Sequence, residues 1–210
     1  MLGHLSRIAK PISLIAGFLF AVVGSLWSFI VVDRLGAEIK QLSDVKADLR
    51  KQIDSLNSIA SDYFIANQQG DLIFILAQQS NARQDVANLI YKGNMLDRAT
   101  PVRNMIGALA IAKQLDYRQA YDSYEKINAE AQSDFSAGNF TRLKGTEKAI
   151  ITQGQQRVPL LLDNLFQVEK AINARDALQK KNRLLGVVAS SIGSFLLLCA
   201  NLIAMRAESK

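Results

Sequence analysis

The clearest pattern along the chain is a pair of apolar stretches, one near each end, that enclose a region of mixed polar and apolar positions. Residues 12–32 and 184–205 contain no charged residue over 21 and 22 positions. At 1.5 Å per residue, a helix of about 20 residues crosses a hydrocarbon core about 30 Å thick. The pattern therefore predicts two transmembrane helices, residues 12–32 and 184–205, with short tails at residues 1–11 (basic) and 206–210.

The first apolar stretch also has features of a cleaved signal peptide, because Arg7 and Lys10 precede it. Signal peptides, however, have apolar cores of about 7–15 residues and a cleavage site of small residues. Here the apolar stretch is longer and leads directly into Asp33 and Arg34. The sequence therefore favours a retained membrane anchor.

The region between the anchors, residues 33–183, shows helical spacing and no run of alternating β-branched residues. Leucines recur every seven residues from Leu35, which is the heptad pattern of coiled coils and helical bundles. The predicted packing face comprises Leu35, Ile39, Leu42, Leu49, Ile53 and Leu56. This face could pack within its own chain or zip two copies together, and Lys46 at a heptad position would select a dimer.

Turn signals divide this region into helices. Asn67–Asp71 contains a glycine suited to a helix end, and Lys92–Asn94 offers a second end. Thr100 followed by Pro101 is typical of an N-cap and a first helical position. The four predicted helices are residues 34–67, 71–92, 101–137 and 140–183.

The last predicted helix contains Gly154 and Pro159, which predict a kink or a break. An even number of helices returns the chain to the side of the membrane that it left. The predicted fold is therefore all-α, with two transmembrane helices flanking an up-and-down four-helix bundle.

Small residues recur at four-residue spacing in both predicted transmembrane helices. The two sets are Gly17, Ala21 and Ser25, and Gly186, Ser190 and Ser194. Small side chains at this spacing let helix backbones approach closely in lipid. The spacing leaves open whether the partner is the other anchor of the same chain or the matching anchor of a second chain.

The composition removes most enzyme chemistry. His4 is the only histidine and Cys199 the only cysteine, which excludes histidine-based metal clusters and nucleophile–histidine pairs within one chain. Acidic pairs such as Asp122 and Glu125 lie beside Lys126, which indicates a solvated helix face. No phosphate-binding, dinucleotide-binding or zinc motif is present. We expect no enzyme activity, no catalytic residue, no metal and no cofactor.

The formal charge of +6 does not indicate nucleic-acid binding. The tails hold four basic residues and one acidic residue, which leaves 21 basic and 18 acidic residues between them. Those charges are interleaved along the predicted helices rather than clustered beside aromatic side chains. The expected partners are the lipid bilayer, a second copy of the chain and another membrane protein, and not nucleic acid.

Basic residues flank the predicted transmembrane helices on both sides, so the positive-inside rule does not favour one orientation clearly. The leader with Arg7 and Lys10 favours a cytoplasmic N-terminus, whereas Lys180, Lys181 and Arg183 favour a cytoplasmic bundle. Long loops cross a membrane largely regardless of their charge. We therefore favour an integral protein of a bacterial inner membrane, with a periplasmic bundle and both termini cytoplasmic.

This layout resembles the periplasmic four-helix input module of bacterial chemoreceptor-type sensors. The resemblance covers nearly the whole chain and rests on the order of its elements, so no ligand-contacting residue is carried over. It implies bundles that dimerise, ligands bound between helices at the dimer interface, and a signal carried by a small displacement of the last helix.

Chemoreceptors continue into a cytoplasmic signalling part, which we expect this chain to lack. The resulting hypothesis is a sensor-like input module without its own output domain. The alternative is a structural scaffold, assembly factor or accessory subunit of a larger membrane complex.

Overall fold

The computed structural model describes residues 2–79, 84–112, 114–134 and 137–208 and shows an all-α chain. Four helices occur in this described part: α1, Leu2–Gln79; α2, Gln84–Ile111; α3, Tyr117–Ser133; and α4, Ala137–Glu208. None of these residues belongs to a strand. The outermost residues of both predicted tails and residues 80–83 of the predicted second helix lie outside the described residues.

The chain divides into two compact units, and each long helix contributes to both. Unit 1 comprises Met1–Ala47 and Phe166–Lys210, and unit 2 comprises Asp48–Leu165. Unit 1 is thus built from α1 and α4, whereas unit 2 combines segments of these helices with the whole of α2 and α3.

Unit 2 is stabilised by one hydrophobic core to which all four helices contribute. Its α1 members follow one another at steps of three and four residues, which keeps a single helix face inward. The core includes Ile53, Leu56, Ala60 and Tyr63 of α1, Met95, Ala99, Val102, Met105, Ile106 and Leu109 of α2, Tyr124 and Ala131 of α3, and Leu143, Ile151 and Leu161 of α4. Each large apolar side chain contributes roughly 1.5–3 kcal/mol when fully buried, so this cluster is the main source of stability in unit 2.

The predicted heptad face is shared between the units. Ile53 and Leu56 are buried in the core of unit 2, and Leu49 packs against that core. The half-buried members in unit 1 are Leu35, Ile39 and Leu42. Lys46 pairs with Glu169 of α4, with 2.9 Å between Nζ and Oε1. The chain's own helices therefore cover the unit 2 part of the heptad face.

α1 does not stop at the turn predicted for Asn67–Asp71 but continues to Gln79. Gly70 is buried inside the helix, and a Cβ there would collide with the side chain of Asn94. The glycine therefore makes room for a neighbouring helix and does not end its own. A sequence shows the same residue in both cases.

α2 runs through both signals that were expected to separate the second and third helices. Its range includes Gly93 and Pro101, and the nearby residues Arg98, Ala99 and Val102 are fully buried, although Thr100 is exposed. Burial of this segment outweighs the roughly 3 kcal/mol that a proline costs inside a helix.

The predicted third helix, residues 101–137, is divided between α2 and α3. α2 ends at Ile111, and α3 begins after Asp116, whose carboxylate accepts a hydrogen bond of 2.9 Å from the backbone N–H of Gln119. This cap satisfies a backbone donor that the first turn of a helix leaves free. α3 ends at Ser133, four residues before the predicted end.

α4 begins at Ala137 and continues through Gly154 and Pro159, so of the kink or break expected there, the break does not occur. A Cβ at Gly154 would overlap the side chain of Met105. This glycine, like Gly70, lets a large side chain of α2 pack against a helix backbone.

In unit 1, α1 and α4 form an antiparallel pair. Contact positions that lie further toward the C-terminus of α1 meet positions that lie further toward the N-terminus of α4. Trp27, Val32, Glu38 and Lys46 contact Asn182, Gln179, Arg175 and Glu169 in that order. The hydrogen bond from Arg175 to Glu38, 2.9 Å long, lowers the pKa of the Glu38 carboxyl.

α1 and α4 are both long and apolar enough to cross a membrane. Only 11% of the most apolar window of α1 and 17% of that of α4 are buried within the molecule. Large side chains such as Phe18, Phe29 and Phe195 are 62–68% exposed. The core helix of a soluble protein would bury such side chains, and lipid would cover them equally well.

α1 and α4 approach each other closely at small residues. A Cβ at Gly193 would lie 2.5 Å from the backbone nitrogen of Ala21 and 2.7 Å from the carbonyl oxygen of Gly17. Gly24 faces Ala189 in the same way. The apolar segments of α1 and α4 therefore pack against each other at these glycines.

Of the predicted sets, Gly17, Ala21, Gly186 and Ser190 lie where α1 and α4 approach each other, and Gly186 packs against Ser28. Ser25 and Ser194 are exposed, and each donates a hydrogen bond to a backbone carbonyl one turn earlier, that of Ala21 or Ser190. With about 100° per residue, repeated steps of four drift around the helix, whereas alternating steps of four and three remain on one face.

Candidate functional site

Unit 2 contains a fully buried ion pair between α2 and α4. Nε of Arg98 lies 3.0 Å from Oε2 of Glu147, and both side chains are 0% exposed. Arg98 sits between the core residues Met95 and Val102, and Glu147 lies midway between Leu143 and Ile151. Helical spacing therefore carries both charges into the apolar core.

Asn94 connects this pair to α1. Its amide nitrogen donates to the backbone carbonyl of Ala66 at 2.7 Å, and its amide oxygen accepts from Nη1 of Arg98 at 2.6 Å. Gly70 provides the space for the Asn94 side chain. Tyr63 of α1 has its hydroxyl 3.5 Å from Oε2 of Glu147, at the long limit for a hydrogen bond.

Aromatic rings surround the Arg98 guanidinium. Its central carbon lies 5.8 Å from the ring centroid of Tyr91 and 5.6 Å from that of Phe140. The two rings contact each other edge to face, with centroids 4.5 Å apart. Such rings stabilise a cation through their faces while excluding water.

Several polar atoms of this centre retain unused hydrogen-bonding capacity. Nη2 of Arg98, Oε1 of Glu147 and the hydroxyl of Tyr124 are buried without a hydrogen-bond partner among the described residues. Burial raises the pKa of Glu147, against the opposing effect of Arg98. Burial also raises the pKa values of Tyr63 and Tyr124, so both hydroxyls remain protonated at neutral pH.

A groove open to solvent lies on another side of unit 2, between α1, α2 and α3. Its volume is about 630 Å³, and its lining comprises Ser55 and Ile59 of α1, Arg103, Asn104, Gly107, Ala108 and Ile111 of α2, and Tyr117 and Tyr121 of α3. Small-molecule sites in proteins have volumes of about 300–1,000 Å³. The groove therefore has the size of a ligand site.

Contacts with neighbouring side chains hold Arg103 and the two tyrosines of the groove in place. Arg103 donates to both carboxylate oxygens of Glu125, at 2.6 and 2.9 Å, and this bonding raises the pKa of the guanidinium. The rings of Tyr117 and Tyr121 are stacked, with centroids 5.4 Å apart and planes inclined by 23°. The bonds to Glu125 use two of the five N–H donors that a guanidinium carries.

Comparisons of the chain with protein-family models, with curated proteins and with solved structures found no match. The candidate site therefore rests on its own geometry. Among the described residues, no three His, Cys, Asp or Glu side chains are grouped so that they could hold a metal ion.

The residues of the buried ion pair and of the groove were not identified as site residues from the sequence. Arg98 fell in the segment 93–100, which was expected to be a loop, and Glu125 was assigned to a solvated face although it binds Arg103. One signal was present: Glu147 lies four residues from both Leu143 and Ile151, so it interrupts an apolar stripe. Such an interruption indicates a partner in the core, but it does not identify that partner.

Proposed function

We propose that this chain is a non-enzymatic, membrane-anchored protein that acts by binding, as a sensor-like input module of the chemoreceptor type. In this proposal unit 2 is an up-and-down four-helix bundle and the interhelical groove receives a small ligand. The groove is the single observation that carries the proposal, because it joins three helices and combines an arginine, an amide and two aromatic rings. The signal would leave unit 2 through α4, which continues into the apolar segment.

Membrane anchoring is supported by the exposed apolar side chains of α1 and α4 and by their close approach at glycines. The serines of these segments also fit, because Ser25, Ser191 and Ser194 bond to carbonyls of their own helix. A hydroxyl bonded in this way needs no water. The basic leader with Arg7 and Lys10 supports a cytoplasmic N-terminus and thus unit 2 on the opposite side, which in the proposed bacterial inner membrane is the periplasm.

Carbonate extraction tests the anchors. Full-length protein is expected to stay with the membrane pellet at alkaline pH, since two spanning helices are not displaced by loss of electrostatic attraction. In intact cells with a permeabilised outer membrane, an impermeant maleimide should label Ser123→Cys from the periplasmic side in a Cys199→Ser background, because Ser123 is exposed in unit 2. Release of the intact chain into the supernatant would refute the anchors, and labelling only after the cells are opened would place unit 2 in the cytoplasm.

A ligand screen on the full-length protein in lipid nanodiscs tests the groove. A ligand at about one hundred times its Kd stabilises a fold by roughly 2.7 kcal/mol, which raises the melting temperature by several degrees. Ser55→Trp fills the groove from α1, while Ser61→Trp places the same bulk on an exposed position of α1 outside the lining. We expect the shift to disappear in Ser55→Trp and to persist in Ser61→Trp.

The second candidate function, a scaffold or accessory subunit of a membrane complex, is favoured by exposed apolar side chains at the end of α1. Leu72, Ile75 and Leu76 are 49–61% exposed although unit 2 has a core nearby. A chain that co-purifies stoichiometrically with a membrane protein, and whose melting temperature ignores every ligand in the screen, would favour this alternative.

A further inference from the structure

A notch opens between α1 and α4 at one end of their apolar segments. Its volume is about 440 Å³, and its lining includes Ser28, Phe29 and Asp33 of α1 and Arg183, Val187 and Ser190 of α4. We name this set of residues the boundary notch. The whole set belongs to unit 1, and the volume lies within the range of about 300–1,000 Å³ that is usual for small-molecule sites.

The notch lies where the apolar segments give way to charged residues. Asp33 directly follows the first uncharged stretch, and Arg183 directly precedes the second. Trp27, which precedes Ser28 in α1, donates a hydrogen bond of 3.4 Å from its indole nitrogen to Oδ1 of Asn182. Tryptophan is enriched where the hydrocarbon core of a membrane meets water. If α1 and α4 cross a membrane as proposed, a condition on which this inference depends, the notch faces the phospholipid headgroups.

Asp33 and Arg183 bring one negative and one positive charge to the notch. Neither forms an ion pair with another residue in the described part of the chain, although both line the same space. The neighbouring charge Arg34, in contrast, is paired with Glu38 at 3.4 Å. The two charges of the notch are therefore available to a ligand that carries both signs.

Two hydroxyl groups of the notch are available as well. Ser28 and Ser190 form no hydrogen bond within the described ranges, whereas Ser191 donates to a carbonyl of its own helix. Gly186 makes room for one of them, because a Cβ there would lie 2.7 Å from Oγ of Ser28. Each serine hydroxyl carries one donor, so the notch offers two O–H donors in addition to its guanidinium.

We propose that the boundary notch binds a phospholipid whose headgroup carries a primary ammonium. The phosphate accepts hydrogen bonds from Arg183, whose planar fork matches two phosphate oxygens, and from the hydroxyls of Ser28 and Ser190. The ammonium donates to the carboxylate of Asp33. The ring of Phe29, which is 68% exposed, offers an apolar surface to the acyl chain and favours a lipid over a free phosphate compound.

The carboxylate of Asp33 would set the selectivity among headgroups. A choline headgroup carries the same positive charge as ethanolamine but has no N–H to donate. A glycerol headgroup leaves the lipid with a net negative charge beside Asp33. Both should bind more weakly than an ethanolamine headgroup, whereas the general attraction of basic residues for a membrane surface favours anionic lipids.

Native mass spectrometry of the full-length protein in mild detergent tests this order. Phosphatidylethanolamine, phosphatidylcholine and phosphatidylglycerol with identical acyl chains are titrated separately. We expect the ethanolamine lipid to bind at least ten times more tightly than the other two, and Asp33→Asn to remove that preference. Asp44→Asn is the matched control, because Asp44 is exposed on α1 outside the notch. Equal binding of the ethanolamine and choline lipids, or tighter binding of the glycerol lipid, would overturn the proposal.

Filling the notch provides a second test that keeps every charge. Ser190→Leu places an apolar side chain in the notch, and Ser191→Leu places the same side chain on the adjacent exposed position outside it. We expect phosphatidylethanolamine affinity to fall at least tenfold in Ser190→Leu and to stay at the parental value in Ser191→Leu. Circular dichroism should show both variants as helical as the parent chain. Equal affinities of the two variants would exclude the notch as the site.

Carbonate extraction separates failure of the lipid site from failure of the membrane anchors. A chain that stays in the membrane pellet but does not distinguish the three headgroups refutes the lipid site alone. A chain released into the supernatant refutes the anchors and the lipid site together. The ligand groove of unit 2 is tested independently by the melting-temperature screen.

Discussion

Replacement of Arg98 by methionine is expected to destabilise unit 2 by roughly 3–5 kcal/mol, because it leaves Glu147 as an unpaired charge in the core. Glu147 is 0% exposed and would keep only the long contact with Tyr63. The measurement is the chemical denaturation of the full-length protein in detergent, followed by circular dichroism.

Two further variants show whether the loss of stability is specific to the buried Arg98–Glu147 pair or follows from the loss of any ion pair. Arg103→Met breaks the pair between Arg103 and Glu125, in which both side chains are about one third exposed. This variant should lower the free energy of unfolding by about 0–1 kcal/mol. The double variant Arg98→Met with Glu147→Leu removes both buried charges and should recover most of the lost stability. An Arg98→Met protein as stable as Arg103→Met would contradict the buried geometry.

Replacement of Gly193 by leucine should force α1 and α4 of unit 1 apart. The atoms that a Cβ would meet, the nitrogen of Ala21 and the carbonyl oxygen of Gly17, belong to the backbone and cannot rotate away. Helices packed through ordinary side chains lie 8–10 Å apart, so we expect the interhelical distance to increase by about 1–3 Å. Overpacking of this kind typically costs about 1–3 kcal/mol.

Spin labels on the exposed positions Leu19 and Phe195, in the Cys199→Ser background, measure this separation in nanodiscs. Ser194→Leu is the matched control, because Ser194 is adjacent in sequence but exposed. An unchanged label distance in Gly193→Leu, or an equal change in Ser194→Leu, would show that the glycine does not set the spacing of the two helices.

More of the fold than of the candidate site could be predicted from the sequence. Heptad spacing placed Ile53 and Leu56 on an inward face, and the structure buries both. The boundaries of the helices were less predictable: Thr100–Pro101 is a strong start signal, yet it lies inside α2, where Ala99, Val102 and Ile106 are fully buried. Local signals of about 1–3 kcal/mol are small beside the burial of several core side chains.

The role of a single glycine could not be predicted from the sequence either. Gly70, Gly154 and Gly193 each admit a neighbouring helix, whereas a Cβ at Gly93 or Gly107 would meet nothing nearby. The sequence shows a glycine at every one of these positions. What distinguishes these positions is whether an atom lies opposite, and where one does, it belongs to a distant part of the chain.

The amino-acid order by itself determined the helical class of this protein and the presence of two helices apolar enough to cross a membrane. Both properties depend on residues within a few turns of one another, through side-chain hydrophobicity and a period of 3.6. Tertiary structure alone decided that Arg98 pairs with Glu147, that Arg103 binds Glu125 beside a groove, and where α2 begins and ends. Those outcomes depend on contacts between residues far apart in sequence, whose burial free energy exceeds the local preferences of the chain.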